Sequence, residues 1–298
     1  MGLQELSQEL SALVEATSAS VVRVEGRRRT PSSGAVWSED GVVVATHHAV
    51  DGDEGVPVGL ADGRVAEAAV VGRDPGSDLV VLRTGVSGLA PARWTATDTA
   101  RTGQLIVGLS RPGRAVRAQL GILSATVGGW RAPSGSRFER YLESSIGLQP
   151  GFSGGVLLGP GGAALGLNAA GLLRGTSLAV PAETVRRVVE ALLAGRGPRR
   201  GFLGVGTQPI ALTPDLRARL GQPQALLVLS VQPDTPAARA GLLLGDVLLK
   251  AGGDSLSHPA ALLPHLDEEQ VGRSLALEVL RAGEVLSVTV VVGERGAS

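Results

Sequence analysis

Short apolar runs separated by turn signals fill most of the chain. "SVVRVEG" (Ser20–Gly26), "SGAVWSEDGVVVAT" (Ser33–Thr46), "EGVPVGLADGRVAEAAVVG" (Glu54–Gly72) and "SDLVVLRT" (Ser77–Thr84) read as strands. Glu39-Asp40-Gly41 and Asp62-Gly63 read as hairpin connections between them. A second set follows: "GQLIVGLS" (Gly103–Ser110), "RAVRAQLGILSAT" (Arg114–Thr126), "RYLESSI" (Arg140–Ile146), "GGVLLGPGGAALGLNAA" (Gly154–Ala170) and "GTSLAVP" (Gly175–Pro181). Two sets of about six strands predict two small barrels, because closing a sheet removes its edges.

Two stretches switch to helical spacing. The opening "MGLQELSQELSALVEAT" is acidic and amphipathic, and "PAETVRRVVEALLAG" (Pro181–Gly195) places Val185, Val188, Val189 and Leu192 on one face. "GRGPRR" (Gly195–Arg200) is a linker by composition. From Gly201 a third unit begins, with strands in "GFLGVGTQPI", "ALLVLSVQ" and "SLALEVLRAGEVLSVTVVV" and a short helix in "DTPAARAGL". The predicted division is a helical segment (1–18), two barrels and a helix (19–194, the barrels at about 19–95 and 100–181), a linker (195–200) and the third unit (201–298). No fixed-period repeat appears.

Composition narrows this picture. The 298 residues are 43% hydrophobic but only 2% aromatic, so the cores must be built from Val, Leu and Ala. Lys+Arg and Asp+Glu are equal at 28 each, which gives no global attraction to nucleic acid. The clusters Arg27-Arg28-Arg29 and Arg199-Arg200 are short enough to be solvated loop or linker residues. No cysteine is present, which excludes disulfides, thiolate metal sites and a cysteine nucleophile. No run of about 20 apolar residues predicts a membrane span. The N-terminal pattern lacks the features of a signal peptide, so a cytoplasmic protein is expected, with the periplasm or cell envelope as the alternative if a leader has been removed.

The candidate chemistry centres on "QPGFSGGVL" (Gln149–Leu157), where Ser153 sits among Gly151, Gly154 and Gly155. A serine hydroxyl is a poor nucleophile until a base takes its proton. Of the four histidines, His258 and His265 lie in the third unit and read as solvated or capping residues. His47 and His48, at the end of an apolar run, are left as candidate bases for Ser153. A base needs a carboxylate to hold its tautomer, and Asp78 stands directly before the apolar run Leu79–Leu82. Asp74, beside Pro75-Gly76, reads as a turn aspartate.

At these residues the chain resembles the HtrA (Deg) serine proteases, in which a trypsin-like double barrel precedes a PDZ domain. "SSGAVWSEDGVVVATHHAVDG" is similar to the family's SGSGVI…DGYILTNxHVV segment. "GLADGRVAEAAVVGRDPGSDLVVLR" resembles LxDGRxxxAxVVGxDPxxDLAVL, and "QPGFSGGVL" resembles NPGNSGGPL. "GFLGVGTQPI" is similar to the start of the family's PDZ domain, and "DTPAARAGLLLGDVLLKAGGDSL" carries that domain's helix and Gly-Asp turn. The resemblance covers nearly the whole chain. It implies a mainly β fold, with a chymotrypsin-like double barrel followed by one α+β PDZ domain.

The register of the resemblance puts the base on His48, with His47 in the variable position before it. It implies a triad of His48, Asp78 and Ser153, and an oxyanion hole formed by the N–H groups of Gly151 and Ser153. The S1 wall is carried over to Leu148, Leu172 and Thr176, with no Asp in these segments, so a small or medium apolar P1 residue is expected. In the PDZ domain, Phe202 and Val205 would line the pocket, while Leu203 and Gly204 would offer backbone donors to a terminal carboxylate. The neighbouring helix would be "SHPAALLPHL" (Ser257–Leu266). Departures from the pattern are Phe152 for Asn, Val156 for Pro, Ser144-Ser145 for Thr-Asp and "GLSRPG" for GNPFG. They bear on the shape of the groove and of the serine loop.

The implied function is ATP-independent endopeptidase cleavage of unfolded or damaged protein, with C-terminal peptides docking at the PDZ domain. A homotrimer is implied, organised by the N-terminal segment, with no cofactor, metal, nucleic acid or membrane span. A chaperone-like scaffold with weak or no proteolysis is the alternative. An esterase of α/β-hydrolase type lacks the required strand–helix alternation.

Overall fold

The computed structural model describes residues 2–26, 31–147, 149–173, 175–197 and 201–294. The chain divides into two compact units, Met1–Gly197 and Pro198–Ser298.

Six strands close into the first barrel: β1 (Val21–Val24), β2 (Ser32–Val36), β3 (Val42–Thr46), β4 (Val56–Gly59), β5 (Val65–Asp74) and β6 (Leu79–Arg83), in the order β1-β2-β3-β6-β5-β4. Every residue of β3 is buried. Its two faces explain why "VVVAT" reads as a continuous apolar run rather than an alternating one. Val43 and Ala45 join Val80 and Leu82 in one cluster with Val22, Val36 and Val58. Val42 and Val44 join Leu79 and Val81 in another, shared with Leu109, Val156 and Leu158 of the next sheet. A strand buried on both faces reads as a near-continuous apolar run, broken here by the buried Thr46 at its end.

The second set comprises β7 (Leu105–Ser110), β8 (Arg117–Val127), β9 (Trp130–Arg131), β10 (Arg137–Phe138), β11 (Tyr141–Ser144), β12 (Val156–Leu158), β13 (Ala164–Asn168) and β14 (Ala179–Pro181). β9 and β10 form a small hairpin, and the others run β11-β8-β7-β12-β13-β14. This six-stranded sheet curls until β11 meets the residue before β14, through a single Glu143–Leu178 bridge. Helix α1 (Leu3–Thr17) lays Leu10, Leu13 and Val14 on the shared core. Helix α2 (Ala182–Leu193) buries Val185, Val188, Val189 and Leu192 there. Each such side chain contributes about 1.5–3 kcal/mol on burial.

The second unit has its own core, around Leu226, Leu248, Leu277 and Val279. Its main sheet runs from β16 (Val205–Ala211) through β17 (Gln224–Val231), β18 (Val247–Ala251) and β20 (Ser274–Arg281) to β21 (Glu284–Val291). β19 (Asp254–Ser255) pairs with β18, and β15 (Gly201–Phe202) pairs with β22 (Gly293–Glu294). Helices α3 (Pro214–Leu220) and α4 (Pro236–Arg239) are short. The helix expected over Ser257–Leu266 is a 3-10 helix from Pro259 to Leu266 that contains Pro264. Proline has no N–H to donate within a helix.

Candidate active site

β3 and β6 are paired, with Thr46 opposite Leu79. His47 and Asp78 therefore sit at the same end of two neighbouring strands, and the His47 N–H donates to the Asp78 carbonyl at 2.9 Å. A 3-10 turn at His47–Ala49 then swings the next side chain back over the pair. His48 meets the Asp78 carboxylate twice: its backbone N–H donates to Oδ1 at 3.0 Å and its ring Nδ1 lies 2.7 Å from Oδ2. A carboxylate only accepts, so Nδ1 carries the proton and Nε2 is left with its lone pair. The Asp78 side chain is 8% exposed and that of His48 37%. Asp78 also has φ +59, a left-handed conformation that Asp adopts more readily than most residues.

His47 has different company. Its Nδ1 lies 3.3 Å from Nη1 of Arg73, which also donates to the Val50 and Gly52 carbonyls and pairs with Asp53. Burial, together with the adjacent Arg73 charge, holds the His47 imidazole below its ordinary 6.5. Asp74 is the turn residue its setting suggests: its carboxylate accepts from the Gly76 N–H and the Ser77 hydroxyl.

The serine loop comes from the other sheet, between β11 and β12. Gln149 O accepts from the Phe152 N–H at 3.0 Å. With Pro150 and Gly151 at the centre and Gly151 at φ +91, this is a type II turn. Gly154 (φ +83) passes so close to β2 that a Cβ would lie 1.8 Å from the Ser33 carbonyl oxygen, so no other residue fits. Phe152 and Val156 are each 1% exposed. These departures from the family pattern thus anchor the loop in the core and do not line the cleft.

Ser153 is 8% exposed. Its Oγ accepts from the Ala170 N–H at 3.3 Å, and among the described residues it makes no hydrogen bond to His48. The N–H groups of Gly151 and Ser153 donate to no described residue. Gly171 lies over the His–Asp pair: a Cβ there would be 2.9 Å from both Asp78 Oδ2 and His48 Nδ1. Nothing in "GLNAAGLLRGTS" except the glycine itself signals this. Among the S1 candidates, Leu172 packs partly buried against the core and Thr176 is half-buried, whereas Leu148 lies outside the described residues.

In the second unit, the Leu203 carbonyl accepts from Ala237 at 2.8 Å and that of Gly204 from Gln232 at 2.9 Å. The first of these bonds fixes the peptide plane that carries the Gly204 N–H, and the N–H groups of Leu203 and Gly204 have no acceptor among the described residues. Gly204 (φ +86) packs against Thr235 too closely for any Cβ. The Leu203 side chain is 2% exposed, in the core. Val205 begins the edge strand β16 and shares an apolar cluster with Leu262 and Leu266, while Phe202 is half-buried. His258 caps the 3-10 helix by accepting from the Ala260 N–H, and His265 lies 3.3 Å from the Asp254 carboxylate.

The architecture is that of a trypsin-like peptidase domain followed by a PDZ domain. Residues 32–167 match the trypsin-like peptidase domain family and residues 201–292 match the PDZ domain family. A probable periplasmic serine endoprotease DegP-like of Halomonas elongata is 32% identical over 273 residues, 90% of this chain and 57% of the relative. The protein of the same description from Chlamydia trachomatis is 30% identical over 276 residues, 91% of this chain and 55% of the relative. The HtrA-type protease AlgW, solved with a decapeptide, superposes with a TM-score of 0.72 at 26% identity, covering 97% of this chain and 99% of that one. A serine endoprotease from Yersinia pestis gives 0.71 at 25% identity, with 96% and 98% covered. The chain carries a trypsin-like peptidase domain and a PDZ domain, is similar in sequence and fold to the HtrA/Deg serine proteases, and spans less than three fifths of the length of these two curated relatives.

These relatives overturn the expected cytoplasmic location, because they are described as periplasmic. The amphipathic N-terminal pattern that suggested it has a packing explanation: Leu10, Leu13 and Val14 of α1 cover the core. No helix among the described residues is long and apolar enough to cross a membrane.

Proposed function

We propose that the chain is a periplasmic serine endopeptidase in which Ser153 attacks the substrate carbonyl, His48 moves the proton and Asp78 holds the histidine. The observation that carries this reading is the double contact between His48 and Asp78, at 2.7 and 3.0 Å, which leaves Nε2 as the basic nitrogen. Nε2 takes the Ser153 proton as the Oγ–carbon bond forms, then delivers it to the departing amine as the peptide C–N bond breaks. Water repeats the sequence on the acyl-enzyme: it gives a proton to Nε2 as it adds to the acyl carbon, and Nε2 returns that proton to Ser153 Oγ as the ester C–Oγ bond breaks. The Gly151 and Ser153 N–H groups receive the oxyanion. Removing one such donor typically costs about 100- to 1000-fold in rate. Leu172 and Thr176 form part of the S1 wall and favour a small or medium apolar P1 residue.

The PDZ domain takes C-terminal peptides of protein substrates. The support is the N–H groups of Leu203 and Gly204, which have no acceptor among the described residues, beside the edge strand β16, where a peptide adds as a further strand. AlgW was solved with a decapeptide, which is consistent with a peptide ligand here. The substrates are unfolded or damaged proteins, and the working state is a homotrimer organised by Met1–Ser18. A scaffold with weak proteolysis is the second reading, favoured by the Ser153 Oγ contact to Ala170 in place of His48. Casein turnover separates the two: the wild-type chain hydrolyses it and Ser153→Ala, of unchanged fold, does not. Equal turnover by both would sink the serine mechanism.

A further inference from the structure

Arg111, immediately after β7, is only 5% exposed, and no carboxylate pairs with it among the described residues. Its guanidinium is satisfied by three backbone carbonyls instead. Nε donates to Val21 at 2.6 Å, Nη1 to Arg114 at 2.8 Å and Nη2 to Ser18 at 2.7 Å. Ser18 is the C-cap of α1. A buried cation is costly unless hydrogen-bonded, and here burial pulls the guanidinium below its ordinary value. "GLSRPG" also departs from the family pattern at this stretch.

The backbone of Arg111 leads to the serine loop. Its N–H donates to Ser33 Oγ at 2.8 Å, and Ser33 Oγ donates to the Gly151 carbonyl at 2.8 Å. Ser33 is fully buried, and its one hydroxyl proton is committed to that carbonyl. The other end of the same peptide plane, the Phe152 N–H, is held by Gln149 O. The Gly151–Phe152 plane is thus clamped at both ends. Ser33 grips the loop again through its own N–H, which donates to the Ser153 carbonyl at 2.9 Å.

The clamp matters because the expected oxyanion donors sit inside it. Ser33 holds the carbonyls of Gly151 and Ser153, and the N–H groups assigned to the oxyanion belong to the same two residues. We propose that Ser33 and Arg111 are positioning residues for the serine loop. They hold in place the backbone that carries the Gly151 and Ser153 N–H groups, and they tie it to the Ser18–Val21 backbone at the end of α1. The inference rests on the reading of Ser153 as nucleophile.

The test uses the full chain with a peptide-coumarin amide carrying Val at P1, a peptide aldehyde whose adduct bears the oxyanion, and a fluorophosphonate label. The label and turnover are first established on the wild type; if both are absent, the nucleophile reading fails and not the clamp. In an active enzyme, Ser33→Ala lowers kcat by about 10- to 100-fold, less than or comparable to the loss of one donor, with KM within about twofold. Aldehyde affinity falls by the same factor, while melting temperature and circular dichroism stay near wild type. Arg111→Ala behaves likewise, and millimolar methylguanidinium restores its kcat. A raised KM with unchanged kcat, or wild-type kcat in Ser33→Ala, overturns the clamp. A folded Arg111→Ala with full activity, or one that methylguanidinium does not rescue, removes the arginine side chain from it. If Arg111→Ala does not fold, Ser33→Ala decides alone.

Discussion

His48 and Asp78 are joined twice, once through the imidazole and once through the histidine's own backbone N–H. The second bond fixes where the ring starts, and the first fixes which nitrogen is basic. His47, one residue earlier, faces Arg73.

The two histidines should therefore separate cleanly on substitution. His48→Ala is expected to lower kcat by at least about 1000-fold, and Asp78→Asn by about 10,000-fold through the wrong tautomer. His47→Gln should stay within about fivefold of wild type. Steady-state kinetics on one peptide substrate checks all three. A dead His47→Gln beside an active His48→Ala would reverse the assignment.

Gly171 supplies a test of crowding at the same pair. A Cβ at 2.9 Å from both Asp78 Oδ2 and His48 Nδ1 must push one of them aside. Gly171→Ala is expected to cost about tenfold or more in kcat, since displacements of about 1 Å at a reacting group cost rate on the order of 100-fold. Stability should change little, because the residue is exposed. An unchanged kcat would mean that the pair can shift without losing its geometry.

What sequence could and could not reveal follows the range of the interactions. The serine turn was legible because its glycines are local: Gly151 and Gly154 need positive φ within a few residues of Ser153. The pairing of the His47-His48 stretch with Asp78 was legible because both flank apolar runs, and paired strands bring such ends together; the choice of His48 over His47 came from the family resemblance alone. Ser33 was not, because its partner Gly151 is 118 residues away and a serine in a strand carries no signal of its own. Arg111 read as an ordinary departure in a loop, although it is buried on three carbonyls. In the second unit, the resemblance to a PDZ domain implied a helix at Ser257–Leu266, but Pro264 and the preceding Pro259 leave a 3-10 helix.

The surroundings of His47 give a pH prediction. Burial and Arg73 favour its neutral form in the folded state, so the unfolded chain binds the proton more readily. This contribution to stability is present above the unfolded value of about 6.5 and is lost as pH falls through it to the lower folded value. The melting temperature of wild type should drop relative to His47→Gln between pH 7 and pH 5. Parallel melting curves for the two proteins would contradict the assigned environment.

The peptide groove makes a prediction about charge. A peptide with a free apolar C-terminus should bind the PDZ domain at least about tenfold more tightly than the same peptide amidated, a difference of roughly 1.4 kcal/mol. Fluorescence anisotropy on the full chain measures both. Equal affinities would show that the Leu203 and Gly204 N–H groups do not receive a carboxylate.

The most direct test of the central claim is covalent. Incubation with a fluorophosphonate, followed by proteolysis and mass spectrometry, should place one adduct on Ser153 in the wild type and none in His48→Ala at the same exposure. Labelling at another serine, or equal labelling of Ser153 with and without His48, would contradict a serine activated by the His48–Asp78 pair.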